Sequence, residues 1–128
     1  MGCTTPPKHL RLPADATAPG SARRFLEQTL CAEHDARPDD GARLLVSELV
    51  TNAVRHGAPP IEIAVQCVGS QALQISVSDG STLRPAQREA ALHDEGGRGM
   101  ALVDLISDDW GIDDRGAAGK AVWFTLRT

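Results

Sequence analysis

The chain has 128 residues, about one domain's worth, with 41% hydrophobic residues and 3% aromatics, which excludes a disordered chain and leaves Leu, Val, Ile and Ala to build the core. A net charge of −4 argues against a broad nucleic-acid surface, which needs a basic face. Cys3, Cys31 and Cys67 form no CxxC and the histidines no HExxH, so neither a metal cage nor a disulfide framework is expected, and a reducing, cytoplasmic compartment fits best.

Residues 1–7, with Pro6 and Pro7, read as a flexible tail, and residues 8–128 as a single domain. The first eight residues lack the apolar run of a signal peptide, and no stretch approaches the ~20 apolar residues of a membrane span. His9 to Leu12 predict a short edge strand ended by Pro13. Asp15 is a candidate helix cap, and Ala22, Phe25, Leu26, Thr29 and Leu30 follow the spacing of an amphipathic helix. Pro38, Asp39 and Asp40 open a second helix whose apolar stripe is Ala42, Leu45, Val46, Leu49, Val50, Ala53 and Val54. Gly57 is expected to stop it in the left-handed conformation, with Pro59 and Pro60 forbidding continuation.

A hairpin follows. Ile61, Ile63, Val65 and Cys67 alternate with mostly polar neighbours, Gly69-Ser70-Gln71 supplies a turn, and Leu73, Ile75 and Val77 alternate with Gln74, Ser76 and Ser78. Residues 81–95 are polar, with a short helical turn at Ala86–Leu92. Gly96-Gly97-Arg98-Gly99 then leads into an apolar helix at Met100–Ile106. Trp110–Asp113 form a short strand and Asp114–Gly119 a turn. Lys120–Leu126 form a last strand with Val122, Phe124 and Leu126 on one face and Trp123 on the other. Strands adjacent in sequence, with the helices grouped, predict an α+β two-layer sandwich: a mixed, mostly antiparallel sheet covered on one side by helices.

Four places carry chemistry. Gly97-Arg98-Gly99 opening a helix lets a backbone approach phosphate and presents unpaired N–H groups, although alone it fits a flexible turn better. Asp79 continues the buried parity of Leu73, Ile75 and Val77, and a carboxylate there needs a partner such as the exocyclic amine of adenine. The alternative is an ordinary Asp-Gly turn past the strand end. Glu48 and Asn52 share a flank of the second helix beside its apolar stripe. Glu48 is a candidate general base and Asn52 a neutral oxygen suited to Mg²⁺, while a solvated polar pair is the plainer reading. His56 fits the helix dipole. Arg55 could touch phosphate or be solvated. Lys120 could approach a phosphate, although a solvated strand-end lysine is the plainer reading.

Order and spacing say more than any one signal. Glu-Leu-Val-Thr-Asn-Ala-Val-Arg-His-Gly at 48–57 resembles the N box of the GHKL ATPase superfamily, which includes histidine kinases and gyrase. Val77-Ser78-Asp79-Gly80 resembles its first glycine box, and Gly96-Gly97-Arg98-Gly99-Met100-Ala101-Leu102-Val103 its second. Gly119-Lys120-Ala121-Val122-Trp123-Phe124 is similar to its final strand motif. The small single-domain form with Ser-Glu-Leu-Val-Thr-Asn-Ala most resembles the anti-sigma-factor serine kinases.

The resemblance implies a Bergerat-type ATP-binding fold in which Asn52 holds Mg²⁺, Asp79 accepts from the adenine amine and Glu48 is the general base. It also implies that Gly97, Arg98, Gly99 and Met100, with Lys120, bind the nucleotide, and that residues 81–95 form the ATP lid. The implied activity is a Mg-ATP-dependent serine kinase that binds a sigma factor, phosphorylates a serine on a STAS-type antagonist protein and dimerises, with no direct nucleic-acid or membrane partner. A nucleotide-binding module that sequesters a regulatory protein without phosphotransfer is the alternative. The detached ATPase part of a sensor histidine kinase fits less well, since no helical pair with a phosphoacceptor histidine precedes the first helix. The family's first glycine box usually reads Asp-x-Gly-x-Gly. Asp79-Gly80-Ser81-Thr82-Leu83 carries its glycine one place early and lacks the second.

Overall fold

A computed structural model of the chain describes residues 7–29, 40–67, 72–81 and 103–127. In chain order the elements are β1 (Lys8–Leu12), α1 (Ala18–Thr29), α2 (Asp40–His56), β2 (Ile61–Cys67), β3 (Ala72–Asp79), β4 (Asp109–Asp114) and β5 (Lys120–Arg127). Residues 103–106 are helical. The strands make one five-stranded sheet in the order β1-β2-β3-β5-β4. Every pairing in it is antiparallel among the described residues, and the fold is the expected α+β sandwich of helices on a mostly antiparallel sheet.

Alternation of apolar and polar residues sets which face of the sheet is covered. Ile61, Ile63, Val65 and Cys67 on β2 are buried, as are Leu73, Ile75 and Val77 on β3 and Val122, Phe124 and Leu126 on β5. Cross-strand register stacks Ile63 against Val77, Val65 against Ile75, and Ile75 against Phe124. Each such side chain gains roughly 1.5–3 kcal/mol from burial. On the opposite face Trp123 is half-buried because its ring lies over Gly111, its cross-strand partner, where an added Cβ would stand 2.7 Å from the ring.

The helices cover the apolar face. Ala18, Ala22 and Leu26 of α1 and Ala42, Leu45, Val46, Leu49, Val50 and Ala53 of α2 are all buried and join the strand residues in one core. Their i, i+3, i+4 spacing puts them on single faces of the two helices. Arg23 Nη1 donates to Ser47 Oγ at 2.8 Å, and Arg43 Nε to Glu27 Oε1 at 3.1 Å, tying α1 to α2. Asp15 stands three residues before α1. Its backbone oxygen accepts from Ala18 N, and its Oδ1 accepts from Thr17 N at 2.8 Å and Thr17 Oγ1 at 2.5 Å. It caps the turn into the helix and not the helix itself.

Gly57 corrects an expectation. Among the described glycines only Gly116 and Gly119 have positive φ, so Gly57 does not end α2 in the left-handed conformation. Its N–H still donates to Ala53 O at 2.9 Å in the helical pattern. The glycine is there for another reason, given below. Leu30, Pro38, Asp39, the turn at residues 69–71, the helical turn at residues 86–92 and the glycine stretch at residues 96–99 lie outside the described residues. No described helix is long and apolar enough to cross a membrane.

Candidate nucleotide site

Asp79 is the last residue of β3, on the face that Leu73, Ile75 and Val77 present to the core. It is 2% exposed, so it is not an ordinary turn aspartate past the strand end. Its Oδ1 accepts from Ser81 N at 2.8 Å. An ideal Cβ on Gly57 would fall 2.6 Å from the Asp79 Cγ and 2.7 Å from its Oδ2. Gly57 therefore ends α2 without a side chain so that the carboxylate can lie against the helix terminus.

Two further glycines close this corner. A Cβ on Gly80 would run into the carbonyl oxygen of Pro59, and Gly80 N donates to Ala58 O at 2.6 Å. This is a physical reason for a glycine immediately after Asp79. A Cβ on Gly119 would overlap the carbonyl oxygen of Asp79, and Gly119 has φ +102°, which favours glycine. Three of the four sequence motifs thus meet at one carboxylate: the first through Gly57, the second through Asp79 and Gly80, the last through Gly119 and Lys120.

Glu48 and Asn52 are half-buried on α2, which packs against β3. With a rise of 1.5 Å per residue, Asn52 stands about 7.5 Å along the helix from Gly57 and Glu48 about 13.5 Å. The three polar groups are therefore laid out in order along one helix, from the buried carboxylate at its C-terminal end back toward its N-terminus. His56 is half-buried in the last turn of α2, where its position suits the negative end of the helix dipole. Arg55 is exposed and lines a groove of about 290 Å³ with Asp15, Ala16, Pro19, Thr51 and Val54, beside the start of α1.

Lys120 departs from the plainer reading of a solvated lysine. It is 1% exposed, shares the inward parity of Val122, Phe124 and Leu126, and its Nζ donates to Ser81 O at 3.4 Å. Ser81, 8% exposed, was not singled out by sequence reasoning, which assigned residue 81 to a polar loop. Its amide and carbonyl link Asp79 to Lys120. Gly97, Arg98, Gly99 and Met100 lie outside the described residues, as does nearly all of the expected lid at 81–95.

Among the described residues no cluster of three or more His, Cys, Asp or Glu could hold a metal ion. Mg²⁺ carried with a nucleotide keeps several waters and takes few protein ligands, and Asn52 has a neutral side-chain oxygen of the kind it accepts.

Among curated proteins none matches the chain. Among solved structures the chain is similar to the RsbU and RsbW domains of Rv1364c from Mycobacterium tuberculosis, with 25% sequence identity and a TM-score of 0.63 over 96% of this chain. It spans 32% of that solved chain's length. The family described as histidine kinase-like ATPase domain matches residues 12–126. With that match over almost the whole chain, and with the family's motif residues gathered at Asp79, the chain belongs to the histidine kinase-like ATPase domain family.

Proposed function

We propose that the chain binds Mg-ATP along α2 and acts as a serine kinase of the anti-sigma-factor type, holding a sigma factor and phosphorylating a serine on a STAS-type antagonist. The observation that carries the reading is the buried Asp79 carboxylate at the C-terminal end of α2. A buried acceptor selects a partner with a hydrogen-bond donor, and the exocyclic amine of adenine is one. Placing the base there runs the phosphates back along the helix past Asn52 toward Glu48.

Asn52 would hold Mg²⁺ through its side-chain oxygen, and the ion, when bound, neutralises charge on the phosphates. Glu48, half-buried on the same flank, takes the proton of the attacking serine hydroxyl. The serine oxygen bonds to the γ-phosphorus, the bond to the β–γ bridging oxygen breaks, and ADP leaves. Positioning and charge neutralisation carry most of such a transfer, so one base and one metal ligand suffice. Gly97, Arg98, Gly99 and Met100 would meet the phosphates, as the motif order supports.

The test is calorimetric titration with Mg-ATP beside Asp79→Ala, followed by transfer of labelled γ-phosphate to a STAS-type protein. Saturable binding lost in Asp79→Ala, with transfer lost in Glu48→Ala, is expected. Transfer undiminished in Glu48→Ala removes that residue's role. Binding with a stable partner complex and no transfer replaces the kinase with a module that sequesters its partner.

A further inference from the structure

Asp79, Ser81 and Lys120 are the buried polar and charged side chains among the described residues, and they are contiguous. A buried ammonium is costly unless hydrogen-bonded and balanced by an anion. Two carboxylates flank Lys120 in the sheet register, Asp79 on β3 and Asp114 on β4. Asp114 is exposed, and its Oδ1 accepts from Gly116 N at 2.9 Å. Asp79 is the buried one. Residues directly opposite on one face have Cβ atoms about 4.5–5.5 Å apart, so the Lys120 and Asp79 side chains share one small buried space.

The hydrogen bonds define what Lys120 does there. Its Nζ donates to Ser81 O, and Ser81 N donates to Asp79 Oδ1. The lysine thus grips the far side of the turn whose near side fixes the carboxylate. Lys120 is 1% exposed, at the end of the site where the base would lie. The phosphates, on the reading above, lie a turn or more of α2 away.

We propose that Lys120 is a positioning residue of the base pocket, acting through the Asp79–Ser81 turn to aim the Asp79 carboxylate at the ligand's exocyclic amine, and that it does not contact phosphate. The inference rests on the ATP reading and deepens it. It makes Lys120 a determinant of base selectivity rather than of phosphate affinity.

The experiment compares ATP with purine riboside 5′-triphosphate, which lacks the exocyclic amine, each with Mg²⁺, by calorimetry on the full chain. Wild type is expected to prefer ATP by about tenfold or more, the range for a hydrogen bond to a charged group. Lys120→Met is expected to lose most of that preference, and Lys120→Arg to recover it. Lys120→Gln, neutral but still a donor, is measured alongside and carries the test if Lys120→Met does not fold. Its preference is expected to fall between the two. A structural or phosphate-contacting lysine weakens both ligands alike, so an unchanged preference in the neutral variants overturns the proposal and leaves ATP binding standing. Wild type that binds both triphosphates equally removes amine recognition by Asp79, and the proposal with it. Wild type that binds neither removes the ATP reading itself.

Discussion

The two ends of the β3–β5 ladder differ in chemistry and not in burial. At one end Leu73 faces Leu126; at the other, on the same inward side and six strand positions away in register, Asp79 faces Lys120. Leu73 is 2% exposed and Leu126 7%, against 2% for Asp79 and 1% for Lys120. The apolar end is stabilised by removing surface from water. The charged end gains nothing from burial by itself and is held by geometry: two hydrogen bonds through Ser81 and three glycines that let backbone and carboxylate approach. A fold that buries charge at one end of a ladder while filling the other with leucine keeps polar groups where core residues would be more stable, as the proposed recognition of adenine by Asp79 requires.

Gly119→Val strains the charged end most, through a positive φ and an overlap with the Asp79 carbonyl. A loss of roughly 3–5 kcal/mol in chemical denaturation is expected. A loss under about 1 kcal/mol would mean that the corner adapts and that glycine there is not required. Phe124→Ala, in the apolar interior of the same strand, is expected to cost about 3–5 kcal/mol by leaving a cavity, with the ATP affinity of the folded fraction unchanged. Asp79→Ala should invert that pattern: ATP affinity falling by about a hundredfold, as for a lost hydrogen bond to a charged group, with secondary structure retained by circular dichroism. Equal effects of the two substitutions on affinity would erase the distinction between the ends. Gly57→Ala is a finer probe. It adds one methyl where the Asp79 carboxylate now lies and is expected to weaken ATP binding about tenfold, roughly 1.4 kcal/mol.

The sequence made the apolar end legible and the charged end half so. Period-two alternation placed Ile63, Ile75 and Val77, and the helical stripe placed Leu45, Leu49 and Ala53, because burial is a local demand that each residue answers alone. The same parity argument marked Asp79 as inward-facing. Applied to β5, where Lys120 continues the parity of Val122, Phe124 and Leu126, it would have marked the lysine as well. Expecting charge to be solvated overrode it. The roles of Gly57 and Gly80 were not legible, since they depend on Asp79 and Pro59, residues distant in the chain or across a turn. Gly80 standing one place early in its motif was the visible trace of that contact.

The smallest effect is expected outside the ladder, at the entry to α1. The hydrogen bonds from the Thr17 hydroxyl and then the Thr17 amide to Asp15 Oδ1 hold the Asp15 carboxyl below its ordinary value of 3.8. A depressed carboxyl stabilises the fold above its unfolded value, and that contribution disappears as pH falls through the lower folded value. Asp15→Ala should therefore lower the thermal midpoint slightly and by a constant amount from neutral pH down to about 4. The two proteins should converge in stronger acid, once both states of the wild type bind the proton. Asp15 lines the groove with Arg55, whereas the ATP reading uses Asp79, Asn52 and Glu48 and not Asp15, so ATP affinity should not change. A fall in affinity in Asp15→Ala would mean that the groove and the Asp79 corner are coupled through α2, and the contrast would then have to be drawn between the helix and the sheet.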